Sequence, residues 1–133
     1  WVREALADPG DAGVFPCPGV AAPSPGAPAL LDWEPLPLAL LEDGARGAGC
    51  AIRSARFHNA LVDGIAAVAR FTGSHRVALS GGCFQNRLLV TWAAEALRAS
   101  GFDVLLHSHT PPNDGCIALG QIAVARADAR FQV

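Results

Sequence analysis

An α/β fold is the class this sequence predicts, and three observations carry it. A short apolar run, Arg76 to Ser80, meets two glycines at once; an amphipathic stretch follows; a second apolar run, Phe102 to His107, comes after Ser100 and Gly101. Strand, glycine turn, helix, glycine, strand is a βαβ unit of about 30 residues, with parallel strands and a right-handed crossover.

Each element has its own local reason. Residues 8 to 37 hold most of the ten prolines, and a residue that neither donates to a ladder nor continues a helix predicts loop here. Within that stretch Leu30, Leu31, Trp33, Leu36, Leu38, Leu40 and Leu41 form an apolar patch expected to dock on a neighbour and to end in a short helix. The Gly-rich segment from Asp43 to Cys50 predicts a mobile connection. Phe57, Leu61, Ile65 and Val68 then recur at helical spacing, with Ser54 as cap and Gly73 as stop. The run RVALS reads as a buried strand ending in a tight loop. Leu88, Leu89, Trp92, Ala93, Ala96 and Leu97 share one face of a second helix, stopped by Ser100 and Gly101. FDVLLH is the second strand. After Thr110, Pro111 and Pro112 a third helix is expected from about Asp114 to about Arg130, with Gly120 at its middle predicting close packing on the sheet. Two strands leave an unpaired edge and an uncovered face, so further strands are expected upstream of Trp1.

Composition narrows the function. The 133 residues suit one modest domain, and the absence of Met makes Trp1 read as a cut or processing point in a longer chain. Net charge is −2, and the ten cations are all Arg, spread singly, which leaves no nucleic-acid footprint. Apolar stretches break before about 18 residues, so neither a membrane span nor a secretion signal is expected. The four cysteines lie far apart with no CxxC pair, which predicts reduced thiols in the cytoplasm.

Two loops carry the candidate chemistry. In the first, Ser80-Gly81-Gly82-Cys83-Phe84-Gln85-Asn86 joins strand to helix. Its glycines either let backbone N–H groups approach an anion, helped by the helix dipole, or serve a turn that needs positive φ. With no Lys in the chain it is not a Walker A loop. The second loop, His107 to Gly115, follows the second strand, and so falls on the same carboxyl edge, where ligands of open α/β sheets bind. Asp114 there is either a helix cap or a metal ligand. His107 and His109 read as a solvated strand end, His58 as a partly buried, hydrogen-bonded structural residue, and Cys83 as small apolar filler.

ARFHNALVDGIAAVA, VALSGGCFQNRLL, GFDVLLHSHTPPNDG and IALGQIAVA, in this order, resemble the C-terminal end of the HypF carbamoyltransferases. LDWEPL, around Asp32 and Trp33, resembles them more loosely. The resemblance implies a TsaD-like domain and, within it, a partial ribonuclease-H-like lobe of the acetate and sugar kinase, heat-shock protein and actin superfamily. Residues 1–53 would then be a connecting arm, and 54–133 an incomplete nucleotide-binding lobe. The implied activity is ATP-dependent transfer of the carbamoyl group of carbamoyl-adenylate, made from carbamoyl phosphate and ATP, to the C-terminal cysteine thiolate of HypE. That reaction belongs to nickel–iron hydrogenase maturation. Ser80, Gly81, Gly82 and Asn86 would line the nucleotide phosphates, and Asp114 would join two upstream histidines on a divalent metal, iron or zinc. Cys83 and Cys116 depart from the family's usual residues. The histidine pair and the family's N-terminal domains are not among these residues, so the chain alone is expected to be inactive. A tRNA threonylcarbamoyl transferase would use the same edge, but FQN and PPNDG favour the hydrogenase branch. A non-catalytic remnant would show an exposed apolar face.

Overall fold

The computed structural model describes residues 20–21 and 28–128. In chain order these form β1 (Val20–Ala21), β2 (Leu30–Leu31), α1 (Pro35–Ala45), α2 (Cys50–Thr72), β3 (Arg76–Leu79), α3 (Arg87–Ala99), β4 (Asp103–Leu106) and α4 (Ile117–Ala127). Single turns of 3-10 helix, Gly82–Gln85 and Asp114–Cys116, precede α3 and α4. Most of the proline-rich stretch, Cys17 and the expected end of the third helix lie outside the described residues.

The βαβ unit is present. β3 and β4 pair in parallel, with Val77 opposite Val104 and Leu79 opposite Leu106, and α3 makes the crossover. Leu88, Leu89, Ala93 and Leu97 are buried on the face of α3 that the sequence marked. Leu89, Ala93 and Leu97 join Val62, Ala66, Ala69 and Leu79 in the main core, with Val77, Phe102 and Val104 packed against it, while Leu88 is buried against Ala55 of α2.

α2 departs from expectation at its start. It begins at Cys50, and Gly49 precedes it without a side-chain cap. Ser54 is a buried interior residue rather than the cap. Gly73 does end the helix, at φ 66°, in the left-handed region that glycine enters without a Cβ penalty. The fully buried residues of α2 are small ones, Ser54, Ala55 and Ala60. Of the periodic large residues, Leu61 and Ile65 pack against the main core and Phe57 against Leu36 and Ala60, while Val68 is exposed. Val68 and Ile65 of that larger stripe line an open groove of about 410 Å³ shared with Leu31, Trp33 and Phe84.

The described part of the arm contains the short helix expected at the end of the apolar patch. β1 and β2 form a two-residue antiparallel ladder, and α1 occupies eleven residues, with Pro35 in its first turn. Leu36 is buried against Ala60 with Leu40 packed beside it, yet Leu30, Leu38 and Leu41 stay exposed, so part of the patch docks the helix rather than the whole. Asp43, expected in a mobile connection, lies inside α1, buried and paired with Arg56 at 2.6 Å. A carboxylate removed from water needs such a partner, and the pair fixes α1 to α2.

α4 is the largest correction. It has no buried residue, a Cβ placed on Gly120 would meet nothing within 4 Å, and Ile117, Leu119, Ile122 and Val124 are all more than half exposed. The expected packing of Gly120 on the sheet is therefore not made. Two strands offer too narrow a face for α2, α3 and α4 together. Among the described residues no helix is long and apolar enough to cross a membrane.

Candidate functional site

Parallel pairing puts the ends of β3 and β4 on one rim, and the register decides who meets there. Since Leu79 lies opposite Leu106, the next residues, Ser80 and His107, are neighbours. His107 Nε2 is 3.0 Å from Ser80 Oγ, and its Nδ1 is 3.1 Å from Thr110 Oγ1. The imidazole thus bridges the two loops. A second tie lies beside it: the Gly81 N–H donates to the Pro112 carbonyl at 2.6 Å. Sequence reasoning left His107 as a solvated strand end and missed this bridge, because it depends on a register that no local pattern reveals.

The glycine loop divides its donors. Gly81 sits at φ 106° and ψ 160°, a conformation that L side chains avoid, so the turn requires glycine there. Its N–H is spent on Pro112 and does not face a ligand. The N–H groups of Gly82 and Cys83 have no partner among the described residues. Both residues are exposed, so Cys83 is not core filler. These two amides, not those of Gly81 and Gly82, are the open donors of the loop.

Asn86 has a role that the sequence reading omitted. Its Oδ1 accepts from the N–H groups of Leu88 and Leu89 at 3.1 and 3.3 Å, which caps α3. Its Nδ2 donates to His58 Nε2 at 2.9 Å. One amide hydrogen remains. An Asn directly before an Arg-Leu-Leu helical start is a cap signal that could have been read. His58 is the buried, hydrogen-bonded residue expected of it, at 3 % exposure.

At the second loop the choice between cap and free carboxylate resolves. Asn113 Oδ1 accepts the Gly115 N–H at 3.0 Å and does the capping. Asp114 is exposed, and its carboxylate makes no hydrogen bond or ion pair to any described residue. A divalent ion needs several donors, and no group of three His, Cys, Asp or Glu converges among the described residues. Asp114 therefore fits as one ligand of a metal and holds none by itself. Cys50, Cys83 and Cys116 are free thiols.

The rim combines two free backbone N–H groups, a hydroxyl, an imidazole and an unpaired carboxylate. Such a set suits a phosphate-bearing ligand better than a nucleophilic triad, since no carboxylate orients the imidazole.

Known proteins resemble this chain along most of its length. Residues 4–121 match the family model described as carbamoyltransferase, Kae1-like domain, second subdomain. Carbamoyltransferase HypF of Synechocystis sp. is 39% identical over 100 residues, which is 75% of this chain and 13% of that protein. Carbamoyltransferase HypF of Rhizobium leguminosarum bv. viciae is 45% identical over 102 residues, 72% of this chain and 13% of that protein. A crystal structure of full-length HypF in the phosphate- and nucleotide-bound form superposes with a TM-score of 0.78 at 33% identity, covering 89% of this chain and 16% of that one. The chain thus spans a small part of the length of the relatives it matches.

Proposed function

The chain belongs to the carbamoyltransferase HypF family, and on that premise we propose that it is one lobe of an ATP-dependent carbamoyltransferase. Carbamoyl-adenylate, formed from carbamoyl phosphate and ATP, binds at the rim above β3 and β4. Its carbamoyl group passes to the C-terminal cysteine thiolate of a HypE-type protein during nickel–iron hydrogenase maturation, in the cytoplasm. The lobe itself is half of a ribonuclease-H-like unit, and the full-length protein supplies the other half and the adenylate-forming domain.

One observation carries this reading: the two loops meet on a single rim, tied by Gly81 to Pro112 and by His107 to Ser80. The phosphate and nucleotide named for the solved relative support it. Donors fixed before the ligand arrives stabilise phosphate charge without reorganising. The Gly82 and Cys83 N–H groups and the Ser80 hydroxyl hold the adenylate phosphate, and the positive end of the α3 dipole adds to them. When the thiolate attacks the carbamoyl carbon, the bond from that carbon to the phosphate oxygen breaks and AMP leaves. The electron pair goes to that oxygen, beside those donors. A divalent ion would supply further charge neutralisation, with Asp114 as one ligand and the others from the rest of the protein.

The test uses the full-length protein with carbamoyl phosphate, ATP and the HypE-type acceptor, reading the carbamoylated C-terminal cysteine by mass spectrometry. Asp114→Ala is expected to abolish transfer with an unchanged melting temperature. Undiminished transfer by that variant refutes the metal role of Asp114, and no transfer by the parent protein refutes the function.

A further inference from the structure

His58 is a buried titratable group that the proposed chemistry does not use, yet its hydrogen bonds lead straight to the nucleotide loop. Its Nδ1 is 2.7 Å from the Ser54 carbonyl oxygen. That oxygen only accepts, so Nδ1 carries the hydrogen and Nε2 is left as an acceptor. Asn86 Nδ2 donates to it at 2.9 Å. The orientation of the Asn86 amide is settled independently, because Oδ1 is the end that takes the Leu88 and Leu89 N–H groups. The series from α3 through Asn86 and His58 to α2 therefore has one self-consistent polarity. Phe57 and Trp92 meet the imidazole edge-on, with centroids 5.8 and 6.3 Å away, and hold its plane.

Asn86 stands at the hinge of the loop. Its N–H closes the 3-10 turn on the Cys83 carbonyl at 3.1 Å, while its side chain opens α3. A rotation of Asn86 would turn the preceding peptide units, those of Gly82 and Cys83 included. We infer that His58 is a positioning residue for nucleotide binding: by anchoring the Asn86 amide to α2 it fixes the direction of the Gly82 and Cys83 donors. The inference rests on the nucleotide reading of that loop. Both imidazole nitrogens are occupied inside the protein, so His58 acts through Asn86 and not on the substrate.

The experiment supplies the full-length protein with preformed carbamoyl-adenylate and the HypE-type acceptor, and measures KM for the adenylate and kcat beside the melting temperature. His58→Phe keeps a ring between Phe57 and Trp92 but removes the acceptor. Affinity for carbamoyl-adenylate is expected to fall about tenfold, the factor set by loss of one buried hydrogen bond, with KM rising in step and kcat nearly unchanged. His58→Gln, whose amide oxygen can take the Asn86 N–H, restores affinity. In the double variant His58→Phe with Asn86→Ala, affinity matches that of Asn86→Ala alone. His58→Leu removes the same acceptor without an aromatic ring, and repeats the comparison if the Phe variant does not fold. Unchanged affinity for carbamoyl-adenylate in a folded variant without the acceptor, or multiplicative effects in the double variant, overturns the role of His58 alone. A parent protein that does not use supplied carbamoyl-adenylate overturns the nucleotide reading and this inference with it.

Discussion

Two N–H groups left open by the first turn of α3 are closed by a single side-chain oxygen, that of Asn86. Asn86→Ala removes the cap and leaves His58 Nε2 without its donor. Stability is expected to fall by about 1–2 kcal/mol, read from the denaturant midpoint at constant slope. The ion pair of Asp43 with Arg56 has a related logic, though the Arg56 side chain keeps 25% of its exposure, and water screens part of the attraction. Asp43→Ala leaves that guanidinium uncompensated between α1 and α2. A loss of about 1–2 kcal/mol is expected, with Asp43→Ala combined with Arg56→Met costing less than Asp43→Ala alone. Composition could not single out this aspartate, because its partner lies thirteen residues away on another helix.

At the scale of elements, α3 is the part whose sequence and structure agree most closely. Its apolar residues fall on one face, Leu97 is fully buried, and the helix ends at Ser100 as expected. Leu97→Ala is expected to destabilise by about 3 kcal/mol, since the rigid helix pair cannot collapse into the space left. The glycine loop is limited by backbone instead. A Cβ on Gly81 meets nothing within 4 Å, so Gly81→Ala is opposed by its φ of 106° and not by crowding. That substitution is expected to cost roughly 1–3 kcal/mol and to weaken carbamoyl-adenylate binding, as the turn relaxes and gives up the Pro112 bond. α2 marks the limit of periodicity. Its large apolar residues Leu61 and Ile65 pack against the main core as the spacing predicts, but the residues it buries completely are the small Ser54, Ala55 and Ala60.

For the whole molecule, exposed apolar surface is the dominant fact. Val124 is 70% exposed and Leu119 55%, while the groove beside β3 is lined by Ile65, Val68 and Trp33. Patches of this extent bind hydrophobic dyes or other protein surface. The chain expressed by itself is expected to raise anilinonaphthalene sulfonate fluorescence strongly, and the full-length protein is expected not to. Equal dye binding by both would show that the rest of the protein does not cover these faces. The sequence by itself determined the βαβ unit, the face of α3 and the family, because those depend on local periodicity and on residue strings. Only the tertiary structure decided that Ser80 faces His107, that Gly81 spends its N–H on Pro112, and that Asn86 joins His58 to the loop. Each of these contacts joins residues more than 25 positions apart, and strand register and helix docking set them.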